Sequence, residues 1–156
     1  MLIFVVTTLV IIIDQVSKNL VRNNLDLGDT VPLIQDVFHI THVQNTGAAF
    51  SMLEGKYLIT IGVPIILIIF CIVFIRNNME NMHITLKLAM PLILGGGIGN
   101  LYDRIMYGFV TDMFDFRLIS FAVFNVADIA VCIGCALLVV FVVFFDDSEG
   151  GKNAKN

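Results

Sequence analysis

A four-helix membrane bundle carrying a small β-rich cap is the fold this sequence predicts, and three observations carry that expectation. Hydrophobic residues make up 58% of the 156, charged residues only 14%, and the mean hydropathy is +0.91, well above the apolar share of a soluble domain. The length leaves room for one compact bundle of about four spans, at roughly 20 residues per helix. Between the first two lies a segment of different character, with β-branched alternation followed by turn residues. One integral membrane domain over residues 1–156 is therefore expected, with spans at about 2–21, 57–75, 86–104 and 124–145 and the cap at 23–56.

The first stretch, Met1 to Ile13, has the apolarity of a secretory signal. No positive segment precedes it and no small-residue cleavage site follows, so it reads as a retained anchor. Thirteen residues cannot span a bilayer, so the helix runs on through Asp14, Gln15, Ser17 and Lys18 to about Val21. A carboxylate is thereby drawn into the membrane's outer layer. In the cap, Val37-Phe38-His39-Ile40-Thr41-His42-Val43 alternates like a strand, and Asn45-Thr46-Gly47 supplies turn chemistry. The second span, Tyr57 to Ile75, holds no charge, and its Pro64 is tolerable beside neighbouring helices. The third holds no charge from Leu88 to Tyr102, and its Gly95 and Gly99 form a Gly-x-x-x-Gly that suits close helix packing. The fourth, Phe124 to Phe145, carries one charge, Asp128; Asp146 to Asn156 reads as a disordered polar tail.

Four crossings put the end of the first helix, the end of the third and the start of the fourth on one side of the bilayer. The unusual polar residues all gather there: Asp14 and Lys18, then Asn100, Asp103 and Arg104, then Asp112 and Asp115, then Asn125 and Asp128. Asp14 and Lys18 have the favourable i, i+4 order for a pair, and Asn100, Asp103 and Arg104 fall on one helix face. Asp128 is the sharpest position, since no Lys or Arg stands within a turn of it in its own helix. A carboxylate embedded in a membrane costs on the order of 2 to 3 kcal/mol or more, which marks such residues as functional.

Two carboxylates in a poorly solvated cleft cannot both ionise, so they share a proton near neutral pH. One then serves as base and the other as acid, which suffices to activate water and polarise an amide carbonyl. Asp112 is the candidate partner of Asp128, with Asp115 competing on composition alone. A proton-coupled transporter using intramembrane aspartates is the alternative, although relays usually lie near mid-bilayer. The net charge of -4 offers no basic stripe for nucleic acid. No His-Glu-x-x-His and no Gly-x-Ser-x-Gly is present, and Ser17 and Lys18 point about 100° apart on a helix. His39 and His42 lie at opposite parity, solvated or paired locally. Cys71, Cys132 and Cys135 fall within the spans as small apolar residues.

In order along the chain, Asp14-Gln15-Val16-Ser17-Lys18, Asn45-Thr46-Gly47-Ala48-Ala49-Phe50-Ser51, Gly99-Asn100-Leu101-Tyr102-Asp103-Arg104, Val110-Thr111-Asp112 and Phe124-Asn125-Val126-Ala127-Asp128 resemble the lipoprotein signal peptidases, or signal peptidase II. The resemblance implies an aspartic endopeptidase of the bacterial cytoplasmic membrane that cuts a lipoprotein signal peptide before a diacylglyceryl-modified cysteine, and a target of the cyclic peptide globomycin. It implies cytoplasmic termini and an active site near the extracytoplasmic surface, which loop charge alone leaves open. It makes Asp112 and Asp128 the catalytic dyad, which demotes Asp115. Asp14, Lys18, Asn45, Gly47, Asn100, Asp103, Arg104 and Asn125 become the support that orients the dyad and grips substrate backbone. No metal and no organic cofactor is implied. The expected partners are lipidated prolipoproteins and membrane lipids, and the expected state is a monomer.

Overall fold

The computed structural model describes residues 1–47, 57–119 and 121–145. Ala48 to Lys56, which carry the second half of the cap motif, and the tail from Asp146 lie outside the described residues. Among those described, four helical stretches are long and apolar enough to cross a membrane. They are α1 (Leu2–Asn24), the stretch Leu58–Asn78 made of the single turn α2 (Tyr57–Thr60) and α3 (Gly62–Asn78), α4 (Ile84–Tyr107) and α5 (Val126–Phe144). A four-span bundle with a small sheet is thus the architecture. Helices α1 and α4 extend beyond the apolar stretches that announce them, to Asn24 and Tyr107. Helix α5 starts at Val126 rather than Phe124, because Asn125 takes extended φ and ψ and caps it.

Helix α4 lies at the centre, and its glycines decide how closely its neighbours approach. A Cβ added at Gly95 would come within 2.9 Å of Val10 Cβ on α1, and one at Gly99 within 2.5 Å of Asp14 Oδ2. On the other side, a Cβ at Gly96 would stand 2.7 Å from Val131 Cγ2 on α5. The Gly-x-x-x-Gly pair therefore serves close packing of α1 on α4. Helix α4 stops at Gly108, whose φ of 81° is left-handed and whose N–H bonds Arg104 O at 3.1 Å, a glycine C-cap that turns the chain out of the bundle.

The turn delivers the chain directly into a strand. β1 (Thr30–Ile34), β2 (Phe38–Asn45) and β3 (Val110–Phe116) form an antiparallel sheet in the order β1-β2-β3. The cap is thus built from two separate loops, and its third strand comes from a segment that reads as loop in the sequence. β3 shows no clean alternation of burial because both of its faces are covered at its start. Phe124 bridges its outer side, exchanging backbone bonds with Phe114 at 2.8 and 3.2 Å.

A register shift between Ile40 and Val43 corrects the reading of the two histidines. The extra residue lets His39 and His42 both turn inward, where each is almost fully buried and holds one local bond, His39 Nδ1 with Thr30 Oγ1 at 3.2 Å and His42 Nδ1 with Leu25 O at 2.9 Å. A bulge of this kind reverses the parity that a regular strand would impose.

The two ends of the bundle have opposite interiors. At the end away from the sheet, Cys71, Ile75, Met82, Leu86, Met90, Ile93 and Leu94 form an apolar core. Under the sheet the fully buried polar side chains are Asp14, Lys18, Asp103, Thr111 and Asn125. Outward faces of the spans are mainly apolar, with Phe4, Ile66 and Val143 exposed, as a lipid environment requires.

Candidate active site

Asp128 stands at the third position of α5, and its place is set by a reciprocal cap. Asn125 Oδ1 accepts from the Asp128 N–H at 3.0 Å, and Asp128 Oδ2 accepts from the Asn125 N–H at 3.1 Å. This capping box satisfies two helix-end donors at once. A third is met from α1, where Asp14 Oδ1 accepts from the Ala127 N–H at 2.9 Å. Two carboxylates thus face the positive end of one helix dipole.

Asp112 lies in the first half of β3, 2% exposed. Its two oxygens are each claimed by an amide: Oδ1 accepts from Asn125 Nδ2 at 2.6 Å, and Oδ2 from Asn45 Nδ2 at 3.0 Å. Asn125 therefore touches both aspartates. The second amide between them is Asn100, whose Nδ2 donates to Asp128 Oδ1 at 2.8 Å and whose Oδ1 accepts from Asn125 Nδ2 at 3.1 Å.

Those amide orientations are forced from below. Lys18 Nζ donates to Asn100 Oδ1 at 2.9 Å and pairs with Asp14 Oδ2 at 2.8 Å and Asp103 Oδ2 at 3.5 Å, with no exposed surface on any of the three charged side chains. An ammonium can only donate, so it fixes which end of Asn100 faces it and turns the other end toward Asp128. The loop after β2 is tied to the same cluster. Asn45 Oδ1 accepts from the Gly47 N–H at 3.0 Å, and Arg104 Nη2 donates to Gly47 O at 3.1 Å.

Electrostatics single out Asp112. Burial, then the neighbouring charge of Asp128, push its carboxyl up to about 6, against the opposing bonds from Asn45 and Asn125 and the charge of Lys18. Asp115 behaves in the opposite way. Burial favours its neutral form, but bonds from Arg117 and Thr41 outweigh that and hold it below the usual carboxylate range. It faces Thr41 and Arg117, at 2.8 and 2.9 Å, and does not line the cavity at Asp112 and Asp128.

That cavity, of about 550 Å³, opens between α3 and α5. Its polar end is Asn45, Asn100, Arg104, Asp112, Asn125 and Asp128; the remainder is apolar, with Val63, Pro64 and Leu67 facing Ile129 and Ile133. Such a site accommodates a long apolar ligand whose polar group stops at two carboxylates. Among the described residues, no group of three or more His, Cys, Asp or Glu side chains is arranged to hold a metal ion.

All ten residues singled out from the sequence converge on this cluster: six line the cavity, Lys18 and Gly47 stand one bond behind it, and Asp14 and Asp103 reach it through Lys18. Three others were missed. Gln15 Nε2 bonds Asp14, Gly99 O and Asp103, and Arg22 bonds Thr111 Oγ1 at 2.8 Å beside Asp103 Oδ2 at 3.4 Å. The i, i+4, i+8 stripe of Asp14, Lys18 and Arg22 was the available signal for Arg22. Thr111 carried none, since Arg22, the partner of its hydroxyl, lies 89 residues away.

A helical membrane bundle with a polar, carboxylate-bearing mouth over an apolar cleft defines a membrane-embedded enzyme. Two solved structures of bacterial membrane enzymes, obtained by the in meso method at 2.3 and 1.9 Å resolution, superpose on the chain with TM-scores of 0.82 and 0.80 at 30% identity, covering 90% and 92% of it and 87% and 93% of their own chains. Residues 6–144 match the family described as Signal peptidase (SPase) II. The lipoprotein signal peptidase of Clostridioides difficile is 42% identical over 96% of this chain and 99% of its own, and that of Halothermothrix orenii 40% over 90% and 94%. The chain belongs to the signal peptidase II family. It is a membrane protease, which sets aside the transporter alternative.

Proposed function

We propose that this protease removes the signal peptide from diacylglyceryl-modified prolipoproteins, cutting before the lipidated cysteine by water activation between Asp112 and Asp128. The observation that carries the proposal is the meeting of both aspartates on Asn125 at the polar end of an otherwise apolar cavity. The names of the relatives support the substrate, and the cleft between α3 and α5 supports acyl chains that stay among the helices while the peptide reaches the dyad.

Asp112, with its carboxyl raised to about 6, and Asp128 hold one proton between them near neutral pH. The ionised member takes a proton from water as the oxygen attacks the scissile carbonyl carbon, and the protonated member donates to the carbonyl oxygen. Collapse of the resulting gem-diol returns a proton to the leaving nitrogen and breaks the C–N bond. Asn100 and Asn125 keep both carboxylates in place through the cycle, while Lys18 and Asp14 hold those amides and the start of α5. Arg104, whose buried Nε has no partner among the described residues, is left with a donor for substrate backbone.

The dyad is proposed to face the extracytoplasmic surface. Lys18 and Arg22 at the sheet end are neutralised by Asp14 and Asp103, and Arg117 there pairs with Asp115, whereas Arg76 and Lys87 flank the opposite end. Arg76 and Lys87, which form no ion pair among the described residues, favour that opposite end as the cytoplasmic one, while Arg104 at the sheet end is turned into the cavity beside the two aspartates. The catalytic unit is taken to be a single-domain monomer in lipid that needs no cofactor.

Cleavage of a diacylglyceryl-modified peptide by purified protein tests the reading, with the unlipidated peptide as control. Asp112→Asn and Asp128→Asn are each expected to abolish turnover while keeping the fold. Turnover in either variant removes the dyad mechanism, and equal cleavage of both peptides removes the lipid requirement.

A further inference from the structure

We infer that Arg22 and Thr111 form a positioning clamp for Asp112, holding the first half of β3 against α1 and α4. Thr111 has no exposed surface and is bound twice. Its N–H donates to Asp103 Oδ2 at 3.1 Å, and its Oγ1 accepts from Arg22 Nη1 at 2.8 Å. The guanidinium is itself fixed on three sides. Nη1 lies 3.4 Å from Asp103 Oδ2, Nη2 donates to Asn19 Oδ1 at 2.9 Å, and the plane sits 4.4 Å from the centre of the Tyr107 ring.

Only a planar fork can make these contacts together. A lysine is a point donor and would lose the simultaneous reach to Thr111 and Asn19. The location of the bonds gives the clamp its purpose. Neighbouring strand residues project to opposite faces, so Asp112 points toward the cavity while Thr111 points back to α1 and α4. Fixing Thr111 at both its N–H and its hydroxyl resists rotation of the strand, the motion that would carry the Asp112 carboxyl away from Asn45, Asn125 and Asp128. Arg22 does not line the cavity, which makes it a positioning residue and not a catalytic one.

The inference rests on Asp112 being half of the dyad, and the experiment separates the two ideas. Full-length protein in detergent is assayed on the diacylglyceryl-modified peptide as Thr111→Val, Thr111→Ser, Arg22→Leu, the Thr111→Val/Arg22→Leu double variant and Asp112→Asn. Thr111→Val keeps shape and N–H but removes the hydroxyl. It is expected to lower kcat about tenfold or more with KM within about twofold, because misplacement on the order of 1 Å can cost about a hundredfold. The acid limb of its kcat profile should move to lower pH, as a loosened Asp112 gains water. Charged groups acting on Asp112 remain in place in this variant: Asp128 from α5, Lys18 from α1 and Arg104 from α4. Thr111→Ser should recover most of the loss, and the double variant should be no worse than the poorer single.

Wild-type kcat in Thr111→Val, a loss confined to KM, no recovery in Thr111→Ser, or losses that multiply in the double variant would each overturn the clamp. If Arg22→Leu fails to fold, the two Thr111 variants decide alone. An inactive Asp112→Asn beside a fully active Thr111→Val removes only the clamp, whereas an active Asp112→Asn removes the dyad beneath it.

Discussion

Asp112 links chemistry to stability. Its folded carboxyl titrates near 6 against an ordinary value of 3.8, so the native state binds the proton more tightly than the unfolded chain does. Below about pH 4 the group is neutral in both states and costs nothing. Between there and pH 6 the unfolded chain ionises first, and above pH 6 the full cost of keeping a buried charge is present, on the order of 3 kcal/mol. The thermal midpoint in detergent should therefore fall as pH rises from about 4 to about 6.5, and Asp112→Asn should flatten that part of the curve. An unchanged slope in the variant would mean that another group carries it. The same residue shows how far sequence reading reaches. That Asp112 and Asp128 belong together was legible from span counting and the shortage of charge. That two asparagine amides join them was not, since Asn125 reads equally well as a helix cap, and it is one. Asp115, three residues on, competes on composition alone, and its pairing with Thr41 and Arg117 is what keeps it from the cluster.

Among the elements, α4 does the most positioning, and its glycines make separable predictions. Gly99→Ala puts a methyl against Asp14 Oδ2, the carboxylate that both caps α5 and neutralises Lys18, so it should cost on the order of 2 kcal/mol and most of the activity. Gly97→Ala meets only Ile68, at 3.5 Å, and should be neutral or stabilising by up to about 1 kcal/mol from helix propensity. Comparing thermal midpoints and turnover of the two variants tests whether helix contact or glycine content matters. Asn125→Ala should cost about 1 kcal/mol as a lost cap and far more in kcat, because the same side chain serves both aspartates. The helices and their glycine seam were legible because periodicity and composition are local. The third strand was not: Val110–Phe116 is covered by the bundle, by β2 and by Phe124, so it lacks the alternation that announces a half-buried strand, and its partners lie about 70 residues upstream.

For the whole molecule, the arrangement inverts that of a soluble protein, with ionic groups innermost at one end and apolar side chains outermost along the spans. The proposed orientation makes a direct prediction. A cysteine introduced at Asp29, on the sheet end, should react with a membrane-impermeant maleimide in intact spheroplasts, and one at Glu80, between α3 and α4, only after lysis. The reverse pattern would place the dyad in the cytoplasm.

Helix α1 supplies the acceptor for an N–H of α5 that lies 113 positions later. During synthesis the first helix reaches the translocon long before its eventual partner is made. Asp14 must wait there without the Ala127 N–H, and its i, i+4 neighbour Lys18 lets the nascent segment enter lipid as a neutral pair. Arrival of the last helix then converts a temporary pairing into a shared junction. Assembly of the polar mouth is in this sense a late event, completed only when the final span is threaded home.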